Sequence, residues 1–449
     1  MESPSRAVEC DLCESWEMEG PRSYLFRLRE GVRWQAIEPV NGRELTAEDI
    51  SFSYVRQSQP GLPNAPLLHN VDTVQPLAPL ELRITLVSPD ADFLGTLADG
   101  HTKVVAREAV ELTGDLRDGP TVGTGPWVLD RTVADDSHLF SRSTSYFEPG
   151  LPLLDGMRVH ILPDAATRTA AFKVAIVDVH QMEPDEWREH LQREPLAPST
   201  LVKQPGAGLE VALNAGRPPF DDARVRQAAF LALDPLHAIE AHWGGFAFVS
   251  MGFPVQGRDW LPSEDDIRRY LNRPADARAL FQDAGITDPV PVTIKVGDFG
   301  SAYIAHAESM AREMAAVGFA PEVEVVNRRD FGEKVWLGGD YQMFAGPAAP
   351  IASPNGFLLP VLHSEGVWNT TGHVDDELDA LLENQAVATD AAIRSQTIGK
   401  IRQRVLQKAY RFMPAARVTI WTWRPRVEDF YPNFAGSGYY HWTRVWLDG

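Results

Sequence analysis

The sequence has few features of membrane insertion or nucleic-acid binding. Its 449 residues contain only two cysteines, and no apolar run approaches the roughly 18 residues that span a bilayer. Lys and Arg total 42 against 62 Asp and Glu, which gives a formal net charge of -20. Because binding to phosphate backbones or anionic lipids needs a basic surface, this charge argues against nucleic acid or a membrane surface as the main partner.

Common catalytic and metal-binding signatures are also absent from the sequence. The 12 histidines form no HExxH pair, and the chain has no G-x-S-x-G element. Gly123 and Gly125 lack the third glycine and the Lys-Ser/Thr of a phosphate loop, and Pro126 follows them directly. We therefore predict no catalysis, no metal site and no cofactor. An enzyme that assembles distant side chains stays an alternative.

The two cysteines, Cys10 and Cys13, lie in the segment C-D-L-C. A CxxC pair is compatible with redox chemistry or with half of a zinc site. A tetrahedral zinc site needs two more ligands, but no second Cys pair and no close His-x-His follows. We expect small buried thiols here.

The composition is otherwise that of a globular protein, with 44% hydrophobic and 23% charged residues. At ~100–200 residues per domain, the length allows two to four structural units. SYLFRL alternates as a half-buried strand does, and ELTAEDISFSY predicts a helix with Thr46 as its cap and Asp49 folding back. Between about residues 290 and 345, strand and helix patterns alternate, which favours parallel strands joined by a right-handed crossover.

The segment PPFDDARVRQAAFLALD, residues 218–234, predicts a buried helix. Asp221 or Asp222 is suited to cap its first turn. Arg224 and Arg226 point to different sides, and we expect them to form structural ion pairs rather than a binding patch.

Several segments, taken in order, resemble the family 5 solute-binding proteins, the oligopeptide, dipeptide and nickel receptors of ABC importers. The resemblance covers nearly the whole chain in the family's order. The segments that carry it are CESWE with YLFRLREGVRW, ELTAEDISFSY, VGTGPWVL, LLDGMRVHILPDAATRTAAFKVAIVDV, PPFDDARVRQAAFLALD and WNTTGHVDDELDALLE. Their number and order make the resemblance specific, whereas any single one would not be.

The resemblance implies an α/β fold of the type II periplasmic-binding-protein class, with two lobes that close on a ligand and an inserted subdomain. The implied divisions are an inserted subdomain at 1–120, the first lobe at 121–215, the second lobe at 216–425, and a return to the first lobe at 426–449. Crossovers are expected near Asn214 and Arg424. The start MESPSRAVECDLCESW lacks a signal-peptide pattern and the family's opening strand, so we expect an N-terminally truncated chain.

The same resemblance implies an extracytoplasmic, monomeric, non-enzymatic protein. It would deliver a peptide or small-molecule solute to ABC permease subunits and their ATPases. A cytosolic ligand-sensing domain of a regulator is the alternative from another class, although no helix-turn-helix segment is visible.

In oligopeptide-binding relatives, one loop carries an Asp that pairs with the α-ammonium of the peptide. Gly346, Pro347, Ala348, Ala349 and Pro350 occupy that register here, and Pro350 stands where the acid would be. No acidic residue lies between positions 345 and 357. A buried ammonium without a counter-charge costs several kcal/mol. The sequence therefore predicts a neutral or amino-blocked solute.

Other candidate ligand contacts come from three further segments. His180, Gln181 and Met182 follow a predicted strand, although a surface histidine in a turn is an equal alternative for His180. Trp421 and Trp423 alternate on one strand and are suited to stack on a sugar or another ring, with core packing as the alternative. Phe344, together with the small residues of the loop, is expected to shape an apolar wall.

Overall fold

The computed structural model describes residues 8–62, 64–116, 119–255, 258–348, 353–432 and 442–448. The chain forms two compact units, the first of Met1–Thr200 with Ile420–Gly449 and the second of Leu201–Thr419. The chain passes from one unit to the other inside two long strands, Ser199–Leu213 and Arg411–Trp423. The finer four-part division stays a prediction.

The strands are numbered in chain order. They are β1 (Cys13–Gly20), β2 (Ser23–Leu28), β3 (Val71–Ala78), β4 (Glu81–Leu86), β5 (Trp127–Val133), β6 (Ser137–Arg142), β7 (Gly156–His160), β8 (Val179–Met182), β9 (Ser199–Leu213), β10 (Ala247–Ser250), β11 (Val290–Gly297), β12 (Phe319–Val326), β13 (Met343–Pro347), β14 (Arg411–Trp423), β15 (Val427–Glu428) and β16 (Trp446–Leu447).

The helices are numbered in the same way. They are α1 (Ala47–Gln57), α2 (Phe93–Leu97), α3 (Arg107–Thr113), α4 (Ala165–Lys173), α5 (Pro184–Arg193), α6 (Ala223–Ala232), α7 (Pro235–Trp243), α8 (Glu264–Tyr270), α9 (Pro274–Asp283), α10 (Ser301–Ala315), α11 (Arg328–Asp330), α12 (Pro354–Leu362), α13 (Asp376–Ala386) and α14 (Ala391–Lys408). A π-helical turn, Phe331–Trp336, follows α11. Among the described ranges, no helix combines the length and the apolar character needed to cross a membrane.

Among its described residues, the first unit contains three antiparallel sheets. One has the order β1-β2-β4-β3, the second is the meander β5-β6-β7, and the third is the short pair β15-β16. Tyr24, Phe26 and Leu28 of β2 are buried, as their alternation predicts. Asp49 accepts a hydrogen bond from the N–H of Thr46 at 2.9 Å, which confirms the predicted start of α1. The strand β8 pairs antiparallel with the last four residues of β14.

The N-terminal cysteines correct one expectation. Cys10 and Cys13 form a disulfide, so they are not the buried thiols that we expected. The segment turns tightly just before β1, which brings the two Cα atoms to 5.1 Å. Arg29 stabilises the turn, since its Nε donates to the carbonyl of Asp11 at 2.6 Å. A spacing of three residues is compatible with either redox state, and only the folded turn shows that the sulfurs meet.

The second unit is built on a mixed sheet in which β10, β14, β9, β13, β11 and β12 are neighbours in that order. β11 is parallel to both β12 and β13, which confirms the predicted parallel pairing. β13 is antiparallel to β9, and β14 is antiparallel to β10. The core of this unit is formed by residues between Leu209 and Ala415 alone.

The helix predicted within residues 218–234 is α6, and its cap is Asp222. One carboxylate oxygen of Asp222 accepts the N–H of Arg224 at 2.8 Å. Arg224 also forms the expected ion pair with Asp222 at 2.6 Å. Arg226 differs from the expectation, because it is buried and donates to the backbone carbonyls of Phe220 and Lys408 at 2.6 and 3.1 Å.

Candidate functional site

The candidate ligand residues are divided between the two units. His180, Gln181, Met182, Trp421 and Trp423 belong to the first unit, where β8 pairs with the end of β14. Phe344, Pro347 and Ala348 belong to the second unit, in and just after β13. The predictions for residues 349 and 350 (Ala349 and Pro350) lie outside the described residues.

The register of β8 and β14 divides the first group between the two faces of the strand pair. Gln181 lies opposite Trp421, and His180 lies opposite Thr422. Because successive side chains of a strand point to opposite faces, Gln181 shares a face with Trp421 and Trp423. His180 and Met182 lie on the other face, so the structure separates the five residues into two sets.

His180 lies inside the first unit. It is 5% exposed, its Nε2 is 3.2 Å from the hydroxyl of Thr169, and its ring centroid is 5.8 Å from that of Phe172. Burial lowers the pKa of His180, which favours the neutral imidazole. The surface-turn alternative for this histidine therefore does not describe its position. Met182, 3% exposed, is also enclosed.

Trp421 and Trp423 form an aromatic face together with Phe430 and Trp442. The ring centroid of Phe430 lies 6.3 Å from Trp421, 5.1 Å from Trp423 and 5.2 Å from Trp442. Phe430 is buried, whereas the three tryptophans are half-buried, as is the Gln181 amide on the same face. Trp421 and Trp423 pack against the small hydrophobic core around Phe430, as the core-packing alternative predicts, and part of each ring stays exposed. Sequence analysis missed Phe430 and Trp442, because no alternation connects them to β14.

β13, which contains Phe344, is an interior strand of the second unit. Phe344 is fully buried and contacts Phe331 and Tyr341 edge-on, with centroid distances of 5.7 and 4.9 Å. It is therefore enclosed within the second unit and does not form an exposed wall. Pro347 and Ala348, which follow, are half-buried.

Close packing at Gly346 requires glycine. A Cβ atom at this position would lie 2.1 Å from Cζ of Phe331, which is closer than any real contact. The next described residue is Ser353. Its hydroxyl caps α12 by accepting the N–H of Gly356 at 3.1 Å. Phe357 and Leu358 of α12 are fully buried.

A buried ion pair lies beside these elements and was missed by sequence analysis. Nε of Arg411 is 3.1 Å from Oε1 of Glu210, and the two side chains are 1% and 0% exposed. Burial raises the pKa of the Glu210 carboxyl, and the charge of Arg411 opposes this effect. The sequence does contain a signal for this pair. Glu210 is the one charged residue of the apolar segment LEVALN, and Arg411 is the one charged residue of the apolar segment YRFMPAA.

Comparisons with known proteins agree with the fold. Residues 7–369 match the model of the bacterial extracellular solute-binding proteins, family 5 Middle. Heme-binding protein A of Haemophilus influenzae is 26% identical, over 99% of this chain and 85% of that protein. Di/tripeptide-binding protein 1 of Pseudomonas aeruginosa is 24% identical, over 93% of this chain and 82% of that protein.

The solved structure of HbpA2 from Haemophilus parasuis superposes with a TM-score of 0.85 at 21% identity, covering 100% of this chain and 92% of that one. This likeness confirms the expected α/β, periplasmic-binding-protein fold class. Since the family model covers most of the chain, the chain belongs to the bacterial extracellular solute-binding proteins of family 5.

Proposed function

We propose that this protein captures a peptide-like or other small solute outside the cytoplasm and presents it to the permease subunits of an ABC importer, which work with their ATPases. The match of residues 7–369 to the extracellular solute-binding family carries this proposal. The names of two relatives, a heme-binding and a di/tripeptide-binding protein, are consistent with it. We propose that binding of the solute is itself the function and that the protein does not convert the solute chemically. Because the matching family is extracellular, we do not favour the cytosolic regulator.

The disulfide supports the proposed location. Disulfides persist in oxidising compartments and are rare in the reducing cytosol. The Cys10–Cys13 bond, in a turn stabilised by Arg29, is therefore expected in a protein that works outside the cytoplasm.

The charges near β13 support a solute without a free ammonium group. The sequence has no acidic residue between positions 345 and 357. The buried carboxylate of Glu210 lies across from Gly346 but is already paired with Arg411. An ammonium bound beside this carboxylate would therefore gain no unpaired negative charge from it to compensate its desolvation. We propose an amino-blocked peptide, a glycoside or another uncharged solute.

The aromatic face of the first unit supports a solute with a ring. Trp421 and Trp423, with Gln181 beside them, combine apolar ring surface with one amide. The exposed part of these rings offers a flat surface for stacking, and the amide offers a hydrogen-bond partner beside it.

Isothermal titration with matched peptides tests the charge argument. Unmodified di- to pentapeptides are expected to bind weakly or not at all, because their α-ammonium lacks a partner. Their N-acetylated counterparts should bind at least 10-fold more tightly. Pro350→Asp, which restores the acid of peptide-binding relatives, should raise the affinity for the unmodified peptides.

Micromolar or tighter binding of unmodified peptides to the wild-type protein would contradict this solute class. Native mass spectrometry of the purified protein is the complementary measurement. A co-purified solute that is released unchanged would support capture without turnover, and a chemically altered one would contradict it.

A further inference from the structure

Arg411 and Glu210 are buried inside the second unit. They belong to β14 and β9, and their side chains are 1% and 0% exposed. Removing two charges from water is costly, and the pair recovers this cost only if both groups are well hydrogen-bonded. If a buried ion pair lacks such bonds, its contribution to stability does not explain why the two charges are buried.

Arg411 has few hydrogen bonds for a buried guanidinium. Its Nε faces Glu210 without hydrogen-bond geometry, and neither Nη1 nor Nη2 has an acceptor among the described residues. Instead, its Cζ lies 6.0 Å from the ring centroid of Phe344 and 5.8 Å from that of Phe357. A planar guanidinium attracts ring faces in this way. Phe344 belongs to β13 and Phe357 to α12, so one side chain contacts both elements.

Glu210 connects the same region to the π-helical turn. It lies opposite Gly346 in the register of β9 and β13. Its Oε2 accepts the indole N–H of Trp336 at 3.3 Å. The same turn contributes Phe331, which occupies the space that a side chain at position 346 would need. The carboxylate therefore fixes the turn against β13.

We propose that Glu210 and Arg411 are positioning residues that hold β13 and α12 in fixed relation. β13 contains Phe344 and Pro347, two of the ligand contacts that the sequence analysis predicts. The functional part of this inference rests on the proposed function, since β13 and α12 matter for solute only if this protein binds one. Rigidity of the elements on either side of a binding segment reduces the entropy lost on binding.

A second buried ion pair in the same unit provides a matched comparison. Arg402 and Asp266 are 3.1 Å apart and 10% and 7% exposed. Arg402, however, donates to the carbonyls of Asp259 and Leu261 at 2.7 and 2.9 Å. Its Nε also faces Asp266 without hydrogen-bond geometry, but its Nη1 is bonded to backbone carbonyls, whereas neither Nη atom of Arg411 has an acceptor among the described residues.

Amide hydrogen exchange on the full-length protein tests the proposal without any solute. In E210Q/R411M, the introduced amide still accepts the indole N–H of Trp336, and the introduced thioether side chain fills the apolar space. The amides of the non-proline residues in 343–348 and 354–362 are expected to exchange at least 10-fold faster than in the wild type. In D266N/R402M, the same amides should keep their wild-type rates.

Unchanged rates in E210Q/R411M would overturn the proposal. So would an equal acceleration throughout the second unit, because that result indicates a general loss of stability. If E210Q/R411M does not fold, R411K takes its place, since lysine keeps the charge but not the planar contact with two rings. R411K should accelerate exchange at the same two segments by 3-fold or more, and wild-type rates there would contradict the role of the guanidinium.

The functional consequence is measured separately with the N-acetylated peptide that binds best in the titrations above. E210Q/R411M should weaken its affinity at least 5-fold, whereas D266N/R402M should not change it. If no peptide binds the wild-type protein, the proposed solute class fails, while exchange still decides whether the pair positions β13 and α12.

Discussion

Arg224 and Arg226 lie two residues apart on α6 but have opposite environments. Arg224 is half exposed and pairs with Asp222 at the helix start. Arg226 is 5% exposed, and its Cζ lies 5.4 Å from the ring centroid of Tyr410. Its hydrogen bond to the carbonyl of Lys408 joins α6 to the end of α14, and its bond to the carbonyl of Phe220 holds the segment just before α6. The sequence places both arginines on one helix, but their different burial depends on distant elements.

Arg226→Lys is expected to reduce the free energy of unfolding by ~2–3 kcal/mol, because lysine cannot reach both carbonyls or present a planar group to Tyr410. Arg224→Lys is the control and should change it by less than ~0.5 kcal/mol, since exposed ion pairs contribute little. Urea unfolding measures both. Equal effects of the two substitutions would contradict the conclusion that Arg226 is buried and stabilising whereas Arg224 is exposed.

His306 is a buried titratable residue of the second unit. It is 1% exposed, and its Nδ1 accepts the indole N–H of Trp243 at 3.0 Å. Burial, with a smaller effect of His242, lowers the pKa of His306 to about 4. Glu313 on the same helix has the opposite shift, because burial raises its pKa to about 7.

The pKa of His306 predicts a loss of stability in acid. An unfolded histidine takes up a proton near pH 6.5, whereas folded His306 does so only near pH 4. The unfolded state therefore binds more protons in this window, and stability falls as the pH falls, by up to ~1.4 kcal/mol per pH unit. His306→Gln keeps an acceptor for Trp243 and should remove the part of the pH dependence of the free energy of unfolding that comes from His306.

The measurement is urea unfolding of both proteins between pH 4 and 7. Glu313 acts in the opposite direction, because its protonation favours the folded state as the pH falls from about 7. The difference between wild type and His306→Gln isolates the histidine from this effect. A difference that does not change with pH would contradict the buried neutral imidazole.

At the scale of elements, two glycines show how the same substitution has opposite effects. Gly346 in β13 has no space for a Cβ atom because of Phe331. Gly399 in α14 has nothing within 4 Å of the position of a Cβ. The first glycine is required by packing, and the second weakens its helix.

Gly346→Ala is expected to destabilise the second unit by ~2–3 kcal/mol, because Phe331 is buried and cannot move without strain. Gly399→Ala should stabilise it by ~0.5–1 kcal/mol, since alanine is the better helix former. Thermal and urea unfolding of the two variants measure these changes. Tolerance of alanine at 346 would show that β13 and the π-helical turn are less tightly packed than described.

Most elements of both units could be predicted from local patterns. The β11-α10-β12 crossover, the capped start of α1 and the cap of α6 all depend on residues within a few positions of one another. Phe344 shows the limit of this approach. It was predicted as a ligand wall from its place before the loop, but its fully buried position depends on Phe331 and Tyr341, which surround it only after the strands have paired.

At the scale of the whole molecule, the two units have separate hydrophobic cores. The core of the second unit lies between Leu209 and Ala415, whereas the first unit has clusters around Trp34 and around Phe430. The disulfide belongs to the first unit alone. Because a cross-link restricts the unfolded chain around it, its contribution is expected to be confined to that unit.

Reduction of the disulfide is expected to destabilise the first unit by up to ~2 kcal/mol, the loop-closure value for a ring of about four residues. Amide exchange with and without reductant measures the effect in each unit. Amides of β1 and β2 should exchange faster, while those of β11 and β12 keep their rates. A Cys10→Ser/Cys13→Ser variant is the control for side effects of the reductant, and equal acceleration in both units would contradict a local role.

The sequence by itself determined the family, the fold class and the class of function, because these depend on ordered motifs and on periodicities that neighbouring residues establish. It also determined that no acid lies between positions 345 and 357. Only the tertiary structure decided that Gln181 lies opposite Trp421, and that Glu210 meets Arg411. Such contacts follow from the register between strands far apart in the chain, and no local pattern encodes that register.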